Sequence, residues 1–395
     1  MKRFLLILFA AIALAARAAA PVDTVYVPTK APKDVAPYFV SFAVPDGNYL
    51  VTVRLGSKKR AATTTVRAES RRLFLDNVQT PKGRFEEYTF VVNKRNREIK
   101  AGDSVRIKKR ERFKLNWDDS LTFEINGAAP AVAEIRVKSA PDSIRTVFLC
   151  GNSTVVDNDN EPWASWGQIV PRYFDSSIAV ANYAESGESA NTFLAAKRFE
   201  KALTQMKAGD YVLIEFGHND QKQKGPGKGA YYSFATALKT FVDLTRRKGA
   251  TPVFVTPTCR RNFDDEGRVV QTHGDFPEAM RWVAAREGVT VLELNPMTAT
   301  LYETLGVEGS KKAFVHYPAG TYPGQKAELA DNTHFNPYGA TQVAKCVLTA
   351  IREKLPELAD HIVGLPAYDP AAPDDPAAFH WDDCPFVEIE KPDGN

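Results

Sequence analysis

The feature that most constrains this chain is a change of hydrophobic rhythm near residue 140. Before it, apolar and polar residues alternate in short runs at 49–55, 90–92, 104–108 and 121–125. Alternation places successive side chains on opposite faces of a half-buried strand. Turn signals at Asp46-Gly47, Pro81-Lys82-Gly83, Gly102-Asp103 and Asn126-Gly127 separate the runs. Short strands at this spacing predict an all-β sandwich over 22–140, its last strand and linker falling at 132–142. After 144 the pattern becomes contiguous apolar runs at 146–150, 178–184, 210–216, 251–256 and 289–294. Stretches with helical spacing at 191–206, 232–248 and 276–287 lie between them. Strands that are mostly apolar rather than alternating suit a parallel sheet covered on both faces, so the rhythm predicts a three-layer α/β/α fold over 144–360. Its last helix, 337–355, puts Ala340, Val343, Ala344, Val347 and Ile351 on one side, with Asn336 as cap and Pro337 in the first turn. The density of Pro and Asp after Leu365 predicts that 361–395 is an extended tail on the surface.

Composition bears on partners and compartment. With 44% hydrophobic and 25% charged residues among 395, the chain has the balance of a folded protein. Lys2 and Arg3 precede an apolar run, 4–16, that ends in Ala16-Arg17-Ala18. This is the layout of a removable signal peptide, 1–18, and the run falls short of the roughly 20 residues that a spanning helix needs. The expectation is an exported protein, periplasmic or extracellular, with no membrane span after cleavage. Without Lys2, Arg3 and Arg17 the 51 basic residues fall level with the 48 acidic ones, which argues against nucleic-acid binding by bulk charge. Cys150, Cys259, Cys346 and Cys384 show no disulfide or zinc spacing and read as buried thiols; a Cys259–Cys346 or Cys346–Cys384 bridge is the other option in an oxidising compartment.

In parallel sheets, reactive groups gather where the strands' carboxyl ends release the chain. Four polar clusters fall at such positions: Gly151-Asn152-Ser153-Thr154, Glu185-Ser186-Gly187-Glu188, Gly217-His218-Asn219-Asp220, and Asp331-Asn332-Thr333-His334 before the last helix. A serine hydroxyl attacks only when a base takes its proton and an acid orients that base. Asp331 and His334, close together in a tight loop, can supply the pair, facing Ser153. Gly187 and the Ser153 main chain offer N–H donors for an oxyanion, and Asn219 offers an amide.

These blocks, in this order, resemble those of the GDSL or SGNH hydrolases. Trp166-Gly167, Glu215-Phe216-Gly217-His218-Asn219-Asp220, Thr256-Pro257 with Arg260-Arg261, and Asp331-Asn332-Thr333-His334-Phe335 look like rhamnogalacturonan acetylesterases. The likeness spans about 146–354. The preceding region is similar to a galactose-binding-like β-sandwich, through Asp46-Gly47-Asn48-Tyr49 and Trp117-Asp118-Asp119. The resemblance implies a flavodoxin-like sheet, Ser153 as nucleophile, His334 as general base and Asp331 as its orienter. Ser153, Gly187 and Asn219 would form the oxyanion hole. The implied reaction deacetylates a plant cell-wall polysaccharide without metal or other cofactor. One departure stands out: Asn152 replaces the family's Asp beside the serine.

Trp163, Trp166, His218, Arg260 and Arg261 are candidate substrate contacts, because indole faces stack on sugars and guanidinium groups pair with uronates. The other reading is that Trp166 packs the first helix and that the arginine pair is a solvated turn. The Asx-rich run 157–160 reads as a solvated turn or a weak cation loop, and the lysine-rich run 222–228 as a mobile loop that either steers acidic pectin or only keeps the surface solvated. Two rival functions share the motifs: a metal-dependent phosphoesterase using His218 and His334, and a secreted carbohydrate-binding protein with a decayed hydrolase half.

Overall fold

In a computed structural model that describes residues 20–28, 36–384 and 391–393, the change of rhythm marks a change of strand direction within one sheet. In spatial order its nine strands are Asp23–Tyr26, Val132–Ser139, Gly47–Gly56, Phe85–Lys94, Ile178–Asn182, Arg145–Gly151, Tyr211–Glu215, Thr251–Val255 and Thr290–Leu292. The first four pair antiparallel and the last five parallel. Chain order second, first, third, fourth, fifth across the parallel strands is the flavodoxin-like arrangement. The two parts meet at Phe85–Lys94 and Ile178–Asn182, through the pairing of Val92 with Val180. This covers what would be an open edge of the parallel sheet. The expected signal peptide lies outside the described residues.

Burial explains both rhythms. On the central strand, Val147 and Leu149 join a core with Trp166, Val343 and Val347, whereas Phe148 and Cys150 join one with Phe193, Leu238 and Phe241. Each such side chain contributes roughly 1.5–3 kcal/mol on burial, so both faces demand apolar residues. The all-β part builds its apolar core mainly from the faces that its two sheets turn towards each other. There a second sheet, of Tyr38–Ala43, Ser120–Ala129, Ala62–Ala68 and Arg72–Thr80, packs Phe42, Val66, Phe123 and Ile125 against Val51, Val53, Phe90 and Ile135. All four cysteines are free and buried.

Several elements differ from the sequence expectation. The run 104–108 pairs only at Asp103–Ser104; Val105 and Ile107 pack on a core of the α/β part, and the Arg106 N–H donates to Ala196 O at 2.9 Å. The helix expected over 191–206 is two, Ala190–Ala195 and Arg198–Gln205, broken where Lys197 takes a left-handed φ of 62°. A helix at Leu294–Gly309 follows the fifth parallel strand where none was expected. Asp157, read as part of a solvated turn, is buried against Arg72 Nε at 3.1 Å, Asn116 Nδ2 at 3.1 Å and Asn182 Nδ2 at 2.7 Å. It thereby joins the two parts of the molecule.

Candidate active site

The four clusters gather at the carboxyl ends of the parallel strands. Glu185 N–H donates to Gly151 O at 3.2 Å, which ties the second cluster to the first. Residues 152–156 form a tight turn, with the N–H groups of Val155 and Val156 both donating to Asn152 O. The Ser153 carbonyl accepts from Ser165 Oγ at 2.8 Å, and Ser165 precedes the short helix Trp166–Ile169. Gly167 permits this close approach, since a Cβ there would lie 2.1 Å from Val155 O.

Asp331 and His334 sit on the strand Leu329–Phe335, paired antiparallel with Phe314–Tyr317, not in a free tight loop. Pairing jumps from Asp331 opposite Val315 to Phe335 opposite Phe314, so residues 332–334 bulge out of the ladder. The bulge folds back on its own carboxylate. Asp331 Oδ1 accepts from the N–H groups of Thr333 and His334 at 2.9 Å each, and Oδ2 lies 2.8 Å from His334 Nδ1. His334 Nε2 lies 2.8 Å from Ser153 Oγ. Burial works against a charge on Asp331, but the His334 ring and the two N–H groups outweigh it and hold the carboxyl down to about 2. The arrangement therefore offers a hydroxyl, an imidazole and a fixed carboxylate in series. Such a series can move a proton off the hydroxyl and stabilise the imidazolium that results.

Gly187 and Asn219 lie beside each other through Glu188, whose carbonyl accepts from Asn219 Nδ2 at 3.0 Å. Asp220 fixes that loop by accepting from Ala190 N–H at 2.8 Å and Gly217 N–H at 3.0 Å. Asn152 is buried, and its Oδ1 accepts from the N–H and hydroxyl of Thr154 at 3.0 Å each.

The expected substrate contacts divide. Trp166 is buried, its indole N–H donating to Glu215 at 2.6 Å, and it presents no face to a sugar. Trp163 is also buried yet borders a cleft with Ser186 and Asn158. Arg261 is buried and structural: its main-chain N–H donates to Asn332 O at 2.8 Å and its guanidinium to Asn332 Oδ1 at 3.0 Å, bracing the bulge. Arg260 is half-buried and donates to Thr272 Oγ1 at 3.0 Å and His218 O at 3.2 Å. His218 is buried against His273, ring centroids 4.4 Å apart, and burial beside that ring and Arg260 keeps it neutral.

The sequence assigned no role to two groups of residues. Glu215, beneath the serine turn, bonds Thr154 Oγ1 at 2.7 Å, and burial pushes its carboxyl up to about 7. Lys108, Arg110 and Lys114, from the all-β part, grip the Gly187 loop. Arg110 donates to Glu185 Oε1 and Ser186 O at 2.8 Å each, Lys114 Nζ lies 3.2 Å from Glu185 Oε2, and Lys108 donates to Ser186 O. Burial alone would raise the Glu185 carboxyl, but Lys114, Arg198 and Arg110 hold it well below the ordinary range. No local motif marks these cations, because Arg110 and Ser186 are 76 residues apart.

Residues 149–342 match the GDSL-like lipase/acylhydrolase family. The chain is 42% identical over 219 residues to the rhamnogalacturonan acetylesterase RhgT of Bacillus subtilis, covering 55% of this chain and 94% of that protein. It is 28% identical to the probable rhamnogalacturonan acetylesterase YesY of the same organism, over 52% of this chain and 92% of the relative. The rhamnogalacturonan acetylesterase of Emericella nidulans is 29% identical, over 52% and 84% respectively.

Proposed function

We propose, from the premise that this chain belongs to the GDSL-like lipase/acylhydrolase family and is an esterase, that it removes O-acetyl groups from acetylated plant cell-wall polysaccharide, rhamnogalacturonan first among them. The observation that carries this reading is the unbroken series Ser153, His334, Asp331, with 2.8 Å at each contact. Ser153 Oγ attacks the acetyl carbon while His334 Nε2 takes its proton. Asp331 holds the ring and stabilises its positive charge. The tetrahedral oxyanion is met by the N–H groups of Ser153 and Gly187 and the amide of Asn219; one such donor is worth roughly 10²–10³ in turnover. His334 then returns the proton to the departing sugar hydroxyl, leaving acetyl on Ser153. Water, deprotonated by the same imidazole, attacks that ester, and acetate leaves as the serine recovers its proton.

The relatives' names support rhamnogalacturonan as substrate class, and the leading segment 1–18 supports export to where such polymers are met. The test is acetate release from acetylated rhamnogalacturonan and acetylated xylan, with and without a chelator, beside Ser153→Ala. The reading predicts faster release from rhamnogalacturonan, no effect of the chelator and loss in the variant. Release that the chelator abolishes, or that Ser153→Ala leaves intact, overturns the mechanism. Release from neither polymer overturns the activity and favours a binding protein.

A further inference from the structure

The Gly187 loop is bounded by two cations that do more than hold it. Arg110 reaches Glu185 through Nε and Nη2, at 3.2 and 2.8 Å, and Ser186 O through Nη2. Its Nη1 lies 2.5 Å from Asp393 Oδ2, close to the end of the chain. Lys108 Nζ lies 3.6 Å from the same oxygen. Both cations thus converge on one carboxylate.

The position of that carboxylate is informative. Gly187 has φ +77°, and a Cβ added to it would fall 2.7 Å from Asp393 Cβ and 2.9 Å from Lys108 Nζ. Asp393 therefore stands directly against the residue whose N–H is the proposed oxyanion donor. Lys391 and Pro392 border the same cleft as Trp163, Ser186 and Asn158. The side chains of Arg110 and Lys108 are 16% and 29% exposed, whereas Asp393 is 56% exposed. Arg110 is built into the wall of the cleft, Lys108 reaches the Gly187 loop beside it, and the carboxylate rests against both.

We infer that Lys108 and Arg110 form a carboxylate subsite for a uronate residue of the polysaccharide, and that Asp393 stands in for that uronate in this structure. The inference rests on the acetylesterase reading above and deepens it. A galacturonate whose ring hydroxyl is acetylated carries its carboxylate on the same ring, so an ester at Ser153 brings a carboxylate near the Gly187 loop. Guanidinium and ammonium groups recognise it through charge-assisted hydrogen bonds. Because Asp393 is tethered, it competes as an intramolecular ligand. The all-β part then contributes to substrate choice as well as to the fold.

The test measures KM and kcat for acetate release from acetylated rhamnogalacturonan oligosaccharides, in the carboxylate form and with the carboxyls methyl-esterified. Wild type is compared with Asp393→Ala, Lys108→Met and Lys108→Arg. The subsite predicts a lower KM for the carboxylate form, and Asp393→Ala lowers it further, by several-fold, for that form alone. Lys108→Met raises KM for the carboxylate form by roughly tenfold, the scale of a charge-assisted bond, and brings the two forms level. Lys108→Arg restores the preference and shows that the fold is intact. Equal KM for both forms in wild type, or no response to Asp393→Ala, overturns the subsite while leaving the esterase standing. Absence of acetate release from either form overturns the esterase reading instead.

Discussion

The two parts of the molecule serve the site by different means. The α/β part presents its polar clusters at the ends of parallel strands and on the bulged strand Leu329–Phe335, each cluster contiguous in sequence, with short bonds between Ser153, His334 and Asp331. The all-β part presents single long cations, Arg72, Lys108, Arg110 and Lys114, that reach across to carboxylates of the other part. In the first, each cluster is legible from local spacing, although Ser153 and His334 meet only on folding; in the second, support follows wholly from single residues that the folded chain pairs. Reacting groups and bracing groups should therefore fail differently when removed.

The largest effect is expected at the reacting groups. Ser153→Ala and His334→Ala should each lower deacetylation by several orders of magnitude without unfolding the protein, and the double variant should lose little more, because such groups act as a unit. Steady-state rates with thermal melts check this; additive losses would divide the pair. The bracing groups should show the opposite pattern. Arg72→Ala leaves Asp157 buried without its guanidinium, and should destabilise by about 3–5 kcal/mol, read as a shift in denaturant midpoint.

A smaller effect separates two carboxyls of the same site by pH. Asp331, held down to about 2 from 3.8, contributes stability that is present above 3.8 and is lost as pH falls through 2. Glu215, pushed up to about 7 from 4.5, has the opposite sign: its contribution is full below 4.5 and is lost as pH rises through 7. Unfolding free energy should therefore decline between these values, and Glu215→Gln should flatten part of that decline in denaturation series at stepped pH. The smallest effect is expected for Asn152→Asp. The acceptor for Thr154 is kept, so turnover should stay within a small factor of wild type, and a large drop would give the amide a role of its own.

The contrast also explains what was legible in the sequence. The parallel strands and their order-defining clusters could be read because burial on both faces forces contiguous apolar runs, and because each cluster lies within a few residues. The bulge at 332–334 could not, since its strand, Leu329–Phe335, carries Asp331, Asn332 and Thr333 where alternation would be sought. Trp166 and Arg261 drew attention as sugar contacts by residue type; burial against Glu215 and Asn332 gives them bracing roles that composition does not reveal. The run 104–108 alternates because Val105 and Ile107 dock on the α/β core, a long-range contact that imitates a strand. Lys108 and Arg110 left no signal, because their meaning depends on Ser186 and Asp393, far along the chain.

The central claim is that Ser153 carries the acetyl group between glycan and water. Mass spectrometry of protein quenched in acid during turnover of acetylated rhamnogalacturonan tests it directly. The account predicts a fraction of the wild-type protein heavier by one acetyl group, located on the peptide bearing Ser153 and absent from Ser153→Ala. Acetate release with the acetyl group on another residue, or undiminished release by the variant, would contradict it.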